Sequence, residues 1–229
     1  MPLDVVTIDG PAGAGKSATS RALAKRLGFE YLNTGAMYRA IALRALRLRV
    51  DLTNASALAA VARAITLESI DGRTIMDGED VTDAVRAPEI SRVVRYPANA
   101  PEVRAILVEQ QRRIGLSRAI VTEGRDQGTA VFPDARCKFY LDASAEERAR
   151  RRLGELRARG EEAALDVILS QILERDRLDS ERAVGPLCAP EDAVRVDSDG
   201  KTIEEVVDEM ERVARAKLPH FTGRERPRA

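Results

Sequence analysis

A glycine-rich segment near the start of the chain constrains the fold more than any other stretch. Residues 10–17 read GPAGAGKS and match the spacing G-x-x-x-x-G-K-[ST]. Glycines at such positions let the backbone close around a phosphate chain, with inward-pointing amides and a helix N-terminus adding partial positive charge. Lys16 is spaced to reach the outer phosphates, and Ser17 to offer its hydroxyl to Mg²⁺. The segment, here called the phosphate-binding loop, therefore predicts a nucleoside triphosphate site.

The flanking sequence supplies the strand and the helix that such a loop requires. The β-branched run at 5–8 is typical of a buried strand. Residues 18–27 carry apolar side chains at helical spacing, and Gly28 is a helix stop. The alternative, a glycine-rich turn that binds nothing, is disfavoured by this order of strand, loop and helix.

Further short apolar runs alternate with helical patterns along the rest of the chain, which favours an α/β fold. These runs predict strands at 29–32, 119–122, 137–141 and 193–196. Between them, residues 64–90 read differently, as short strands at Thr66–Ile70, Thr74–Met76 and Val81–Thr82 joined by Asp-Gly turns. We expect this stretch to be a small β insertion in the α/β core.

Several predicted helices carry recognisable end signals. Asn54 is expected to cap one helix, and Pro101 to open another that stops at Gly115. Capping boxes are predicted at Ser144–Glu147 and Thr202–Glu205. Together these signals place helices between the predicted strands.

Charged residues follow two of the predicted strands, where open α/β sheets bind ligands. Arg39 lies shortly after the strand at 29–32, and Arg125 and Asp126 follow the strand at 119–122. The alternatives are a solvated helix arginine for Arg39 and a salt-bridged turn between Arg125 and Asp126.

Two helices joined at Gly160 carry many arginines. Arg175, Asp179 and Arg182 are spaced so that they share one helix face. Such a face is often a solvated, salt-bridged surface. The alternative is a mobile cover that brings arginines to bound phosphates.

Composition excludes several other classes of protein. The formal net charge of the 229-residue chain is +0, which gives no general attraction to nucleic acid or membranes. The only histidine, His220, lies in the tail, which argues against a Ser-His-Asp triad or a histidine metal site. Cys137 and Cys188 lack metal-ligand spacing, no apolar stretch is long enough to cross a bilayer, and no signal peptide is apparent. We therefore expect a cytoplasmic protein.

The motifs, in their order and spacing, resemble the bacterial cytidylate kinases within the nucleoside monophosphate kinases. The resemblance runs from Ile8 to the last helix. It rests on IDGPAGAGK at 8–16, TGAMYR at 34–39, DGEDV at 77–81, PEVR at 101–104, GRD at 124–126 and GTAVFPDA at 128–135. The last matching block is Arg175 and Asp176, followed by Asp179, Arg182, Pro186 and Leu187.

The resemblance implies a P-loop NTPase fold with a five-stranded parallel sheet flanked by helices. It implies a kinase core of residues 1–63 and 91–218, a monophosphate-binding insertion at 64–90, a helical lid within about 148–182, and a tail at 219–229 that we expect to be disordered. The implied reaction is phosphoryl transfer from ATP to CMP or dCMP with Mg²⁺, by a monomer with no nucleic-acid or membrane partner.

The resemblance also implies roles for individual residues. The ATP phosphates would be held by Gly10, Pro11, Ala12, Gly13, Ala14, Gly15, Lys16, Ser17 and Ala18. The phosphate of the monophosphate would be held by Arg39, Arg125 and Arg182, the cytosine edge by Arg104 and Asp126, and the sugar by Arg175 and Asp179. Arg151 would approach ATP, and Thr34 and Tyr38 would lie beside the substrate. The catalytic group would be Lys16, Arg125, Arg151 and Arg182.

Three positions depart from the family pattern. Arg95 stands where the family commonly has a base-contacting serine, Glu123 where it often has aspartate, and Gln127 where it usually has an apolar residue. These departures leave open a kinase for another acceptor, such as UMP, AMP or a small metabolite. A nucleotide-gated switch protein is a further alternative. It would leave Arg39, Arg104 and Arg125 unexplained, because a switch has no second phosphate to bind.

Overall fold

The computed structural model describes residues 4–70 and 72–218. The predicted disordered tail at 219–229 and the Asp71 half of the first Asp-Gly turn lie outside these residues. The strands are β1 (Val5–Asp9), β2 (Glu30–Asn33), β3 (Leu67–Ile70), β4 (Arg73–Met76), β5 (Glu79–Asp80), β6 (Ile120–Gly124), β7 (Cys137–Asp142) and β8 (Val194–Asp197). The helices are α1 (Lys16–Leu27), α2 (Thr34–Arg47), α3 (Ala55–Ala64), α4 (Pro88–Val93), α5 (Arg95–Asn99), α6 (Pro101–Ser117), α7 (Ala145–Ala158), α8 (Leu165–Ser180) and α9 (Ile203–Lys217).

The five-stranded sheet is parallel throughout, as expected, with the order β2-β6-β1-β7-β8. All residues of the central strand β1 are buried. Neighbouring strands end in register, so that Asp9 lies beside Gly124 and Asn33 beside Glu123. The loops that follow β1, β2 and β6 therefore meet at one edge of the sheet, which is where parallel sheets bind ligands.

Helices cover both faces of this sheet, because successive side chains of a buried strand point to opposite sides. Val5 joins a core that includes Leu58 of α3 and Leu107 of α6. Val6 joins the opposite core, which includes Leu23 of α1 and Met210 of α9. A parallel sheet with helices on both faces is the α/β architecture expected from the alternating pattern.

Most predicted helix ends are confirmed. Gly28 ends α1 with φ 70°, and the Asn54 side chain accepts a 3.0 Å hydrogen bond from the Ala57 amide at the start of α3. A full capping box joins Thr202 and Glu205. The predicted box at the start of α7 is only half formed. The Ser144 hydroxyl accepts from the Glu147 amide, but the Glu147 carboxylate turns to Arg150 and Arg151 instead.

The small β insertion forms a separate three-stranded antiparallel sheet, but its third strand was misplaced. The predicted strand at Val81–Thr82 is wrong, because pairing resumes two residues earlier, at Glu79–Asp80. Asp77 and Gly78 both adopt positive φ, 51° and 81°, and make the two-residue turn that joins β4 to β5. The division of the chain into a core and a monophosphate-binding domain stays a prediction.

No sequence pattern predicted the short helical turns between this sheet and α6. Residues 84–86 form a 3₁₀ turn, and the short helices α4 and α5 follow directly. They place Arg95 and Tyr96 on the wall of the cleft described below.

Gly115 does not stop α6 as predicted, because the helix continues to Ser117. Its role is close packing. A methyl group at this position would lie 2.7 Å from Cε1 of Phe132 and 3.3 Å from Cγ2 of Val5. The absence of a side chain lets the helix approach the sheet and the segment after β6.

We therefore expect Gly115→Ala to destabilise the protein by about 1–3 kcal/mol, the usual cost of overpacking a core. Gly154→Ala is the matched control, since Gly154 also lies inside a helix, and a methyl group there would meet no atom within 4 Å apart from its chain neighbours and the backbone of its own helix. That control should stabilise the protein by up to about 1 kcal/mol through helix propensity. Urea unfolding of both variants tests the pair, and equal stabilisation by both would contradict the packing argument.

Candidate active site

A cleft of about 1630 Å³ opens at the edge of the sheet where the parallel strands end. It is lined by nearly every residue that the sequence singled out. The lining includes Ala12, Gly13, Ala14, Gly15, Lys16, Ser17, Ala18, Thr34, Tyr38, Arg39, Arg104, Arg125, Asp126, Arg151, Arg175, Asp179 and Arg182. Only Gly10 and Pro11 of the predicted set are absent from the lining, and both are buried in the structure.

The phosphate-binding loop has the backbone shape expected of it. Gly13 and Gly15 have φ of 84° and 89°, the left-handed region that other residues rarely adopt. A side chain on Gly10, whose φ is 149°, would collide with the Leu141 carbonyl of β7. The loop therefore requires glycine here both for its curvature and for close approach to the sheet.

Lys16 is buried under this loop, and its ammonium donates a 2.6 Å hydrogen bond to the Pro11 carbonyl. Burial, together with the nearby positive charge of Arg125, holds the pKa of Lys16 well below its usual value. An anion in the loop would restore the charged form, because it would replace the lost solvation. The first turn of α1 also presents Ser17 to the cleft.

Asp9, at the end of β1, holds the segment that follows β6, a role that was not predicted from the sequence. Its buried carboxylate accepts hydrogen bonds from the amides of Gln127 (2.8 Å) and Gly128 (2.7 Å). Burial raises the pKa of Asp9 to about 6, although the two amide bonds oppose this shift. The available signal was an acidic residue at the end of an apolar strand.

Positive charge is concentrated in the cleft although the chain as a whole is neutral. Ten cationic and five acidic side chains line it. Loss of solvation inside the cleft lowers the pKa of Arg39 and of Arg175, the latter to about 10, and repulsion from neighbouring arginines lowers both further. Such a site favours a ligand with several negative charges.

Asp179 of α8 holds two of the predicted phosphate-binding arginines together. Its carboxylate pairs with Arg125, at 2.8 Å from Nε, and with Arg182. Burial alone would raise the pKa of Asp179, but the two guanidinium groups lower it overall. Because α8 ends at Ser180, Arg182 lies just beyond the helix and not on its face as predicted.

Asp126 does not pair with Arg125, so the predicted alternative of a local salt-bridged turn is wrong. It forms a buried ion pair with Arg104 of α6. Burial raises the pKa of Asp126, and the Arg104 guanidinium stacks over the Tyr38 ring at 5.9 Å. Among the described residues, the buried Nε of Arg104 has no hydrogen-bond partner. A donor and an acceptor therefore lie side by side at this end of the cleft.

Two of the three unusual residues are explained by their hydrogen bonds. The Tyr31 hydroxyl donates a 2.5 Å hydrogen bond to Oε1 of Glu123, and the Thr34 hydroxyl donates to the Glu123 carbonyl. Gln127 is buried, accepts from the Thr122 hydroxyl at 2.9 Å and donates to Gln111 at 3.2 Å. A polar residue is thus stabilised where an apolar one was expected.

Arg95, the third unusual residue, is exposed on the wall of the cleft. Its guanidinium stacks over the Tyr96 ring at 5.0 Å and donates a 3.2 Å hydrogen bond to the Tyr96 hydroxyl. It belongs to the same lining as Arg104 and Asp126, so it extends the positive surface of the cleft.

We expect Gln127→Leu to cost about 1–3 kcal/mol of unfolding free energy, because Thr122 and Gln111 would be left buried with unpaired polar groups. Gln171→Leu, at an exposed position on α8, is the matched control and should change stability by less than about 0.5 kcal/mol. Denaturant unfolding measures both. If Gln127→Leu left the unfolding free energy unchanged, these buried hydrogen bonds would not contribute to stability.

Arg151 reaches the phosphate-binding loop through Ser198, another residue that the sequence analysis did not single out. Its guanidinium donates to the Ser198 hydroxyl at 3.1 Å and to the Ser198 carbonyl at 2.6 Å. The Ser198 hydroxyl in turn lies 3.3 Å from the Ala14 carbonyl. The arginine is therefore held beside the loop, as its predicted role requires.

Residues 4–70 and 72–218 contain no group of three or more His, Cys, Asp or Glu side chains placed to bind a metal ion. No helix within them has the length and apolarity needed to span a membrane.

Comparison with known proteins gives consistent matches. The sequence model of a family described as "Cytidylate kinase" matches residues 6–216. A protein named cytidylate kinase from Caldanaerobacter subterraneus subsp. tengcongensis is 49% identical over 206 residues, covering 90% of this chain and 92% of that protein. Another of that name, from Desulfitobacterium hafniense, is 50% identical over 208 residues, covering 90% of each. A solved structure of an uncharacterized protein from Eubacterium ventriosum shares the fold, with a TM-score of 0.51 at 9% identity over 93% of this chain and 98% of that one.

Proposed function

The chain belongs to the cytidylate kinase family, and on that premise we propose that it transfers the terminal phosphoryl group of ATP to CMP or dCMP. The products are ADP and CDP or dCDP. The observation that carries the proposal is that one cleft contains both the phosphate-binding loop and a separate cluster of arginines. A kinase needs two phosphate sites, whereas a nucleotide switch needs one.

The loop side of the cleft binds ATP in this proposal. Amides of residues 10–18 and the Lys16 ammonium hold the phosphate chain, and Arg151 adds charge from α7. Beyond them the cleft is lined by Lys201, Thr202, Ile203 and Val206, at the start of α9. These side chains offer an apolar surface with polar groups at its border, which suits a purine ring.

The residues beside the loop fit a magnesium ion bound together with the ATP phosphates. Mg²⁺ prefers a few hard oxygen ligands and keeps several waters. The Ser17 hydroxyl and the Glu123 carboxylate supply such oxygens on adjacent walls of the cleft. When bound, the ion neutralises charge on the phosphates during transfer. The Tyr31 hydroxyl holds one Glu123 oxygen and so fixes the direction of that carboxylate.

The arginine side of the cleft binds the monophosphate. Arg39, Arg125 and Arg182 supply planar donors that match phosphate oxygens. Asp179 holds two of them in place before substrate arrives, so they need little reorganisation on binding. In this arrangement Asp179 and Arg175 lie next to the sugar of the bound monophosphate.

The buried Arg104–Asp126 pair selects the base. Cytosine presents an amino donor beside ring and carbonyl acceptors, which complement the Asp126 carboxylate and the Arg104 guanidinium. Uracil replaces the amino group by a carbonyl, and this would face the acceptor Asp126. The name cytidylate kinase, carried by two relatives of 49–50% identity, supports CMP as the acceptor in this proposal.

The protein contributes positioning and electrostatics to such a reaction more than covalent chemistry. Two phosphate chains must be held in line, their charge neutralised and water kept away from the transferred group. The helices α7 and α8, which carry Arg151, Arg175 and Asp179, form one side of the cleft and can exclude water when they close over it. A monomeric state and a cytoplasmic location stay predictions from sequence.

Transfer of label tests the proposed reaction. ATP labelled at its γ-phosphate is incubated with Mg²⁺, CMP and the protein, and the nucleotides are separated. We expect the label to appear in CDP. Label that appears only as inorganic phosphate would contradict the kinase and favour a hydrolytic switch.

A further inference from the structure

Arg148 of α7 makes three contacts that join different parts of the site. Its Nε donates to the Ala143 carbonyl at 3.0 Å, and its Nη1 to the Ala12 carbonyl at 3.1 Å. Its Nη2 forms a 2.6 Å ion pair with Asp176 of α8. The side chain is 6% exposed and does not line the cleft. Arg148 is therefore placed to act through its neighbours and not on a substrate.

One end of this contact chain is the phosphate-binding loop. A side chain on Gly13 would lie 3.3 Å from Cβ of Arg148, so loop and helix pack tightly here. Ala12 and Gly13 belong to the part of the loop that closes around a phosphate chain. If this backbone shifts when triphosphate binds, the hydrogen bond between the Ala12 carbonyl and the Arg148 guanidinium shifts with it.

The other end is helix α8. Asp176 directly follows Arg175 and lies one turn before Asp179, two of the residues assigned to the monophosphate. Its side chain is 21% exposed, and its Oδ1 is buried without a hydrogen-bond partner among the described residues. Arg148 is the cation that balances this carboxylate, so the position of α8 depends on it.

We propose that Arg148 is a positioning residue that couples the two substrate sites. Through the Ala12 carbonyl and Asp176, triphosphate in the loop stabilises the placement of α8 that binds monophosphate. Because such coupling is reciprocal, each substrate raises the affinity for the other by the same factor. The inference rests on the proposed function, since it assumes that ATP and a monophosphate share the cleft.

Equilibrium binding measures the coupling factor directly. The dissociation constant for CMP is determined by calorimetry with and without a non-hydrolysable ATP analogue and Mg²⁺. We expect the analogue to tighten CMP binding to the unchanged protein by about fivefold or more, the lower end of typical allosteric coupling. In Arg148→Met we expect this factor to fall below about twofold.

Two further variants guard against a trivial loss of structure. Asp176→Asn leaves the Arg148 contact to the loop intact and removes only the charged link to α8, so it should also lower the factor below about twofold. If Arg148→Met fails to fold, the coupling factor of Asp176→Asn tests the proposal on its own. Arg157→Met, an exposed arginine on the same helix, is the matched control and should keep the full factor.

The outcomes separate the two proposals. An unchanged protein that shows no coupling, or Arg148→Met and Asp176→Asn variants that keep it while only losing thermal stability, would overturn the positioning role but leave the kinase intact. If the unchanged protein does not bind CMP in the presence or absence of the analogue, the proposed function fails, and the inference fails with it.

Discussion

Replacing Lys16 by alanine is expected to lower kcat/KM for phosphoryl transfer by about a hundredfold to a thousandfold. That is the usual cost of removing one preorganised group that stabilises transition-state charge. Lys16 is buried under the phosphate-binding loop, and its pKa is lowered by burial, so the site is arranged to give this ammonium an anionic partner. Steady-state kinetics with ATP and CMP measures the loss.

The same variant should fold normally. In the absence of nucleotide the Lys16 ammonium makes a hydrogen bond to a backbone carbonyl, that of Pro11, and takes no part in the two apolar cores. Circular dichroism checks this point. Lys25→Ala, at an exposed position on the same helix, is the control and should retain full activity. A folded Lys16→Ala enzyme with normal kcat/KM would show that Lys16 of the phosphate-binding loop takes no part in catalysis.

Arg125→Ala should raise KM for the monophosphate or lower kcat by more than about tenfold. A charge-assisted hydrogen bond contributes roughly 1.5–3 kcal/mol, and each 1.4 kcal/mol is about a factor of ten. KM for ATP should change much less, because Arg125 lies with Asp179 and Arg182 on the arginine side of the cleft.

Two matched variants sharpen this prediction. Arg125→Lys keeps the charge but loses the planar pair of donors, so it should recover only part of the activity. Arg113→Ala, at an exposed position on α6 with a side chain that is 68% exposed, should leave the kinetics unchanged. An equal loss in Arg113→Ala and Arg125→Ala would point to a general effect of removing positive charge.

The parts of the fold that the sequence predicted correctly are those set by neighbouring residues. The phosphate-binding loop, the caps at Asn54 and Thr202, and the end of α1 at Gly28 each depend on a few adjacent positions. Local patterns also predicted the five strands of the main sheet to within one or two residues. Such features need no knowledge of distant contacts.

Other roles depend on partners far along the chain, and local patterns could not reveal them. Gly115 resembles a helix stop until Phe132 is seen against it. Asp9 was passed over as part of the loop motif, because its partners are the amides at 127 and 128. Arg148 stands among similar arginines on α7, and only Ala12 and Asp176 distinguish it.

The candidate site shows the same division. The resemblance assigned residues to the cleft, and the structure brings nearly all of them together there, while their roles stay proposals. It could not reveal that Asp126 pairs with Arg104 or that Tyr31 donates a hydrogen bond to Glu123, because each contact joins two different secondary-structure elements. The three unusual residues became interpretable only through such contacts.

An ADP-release assay with ATP, Mg²⁺ and a panel of acceptors tests the central claim most directly. CMP, dCMP, UMP, AMP and no acceptor are compared at equal concentrations. We expect rapid turnover with the cytidine nucleotides alone, since only cytosine complements the Arg104–Asp126 pair among the pyrimidines tested. Equal turnover with UMP would contradict the base assignment, and slow ADP release that is indifferent to every monophosphate would contradict the kinase itself.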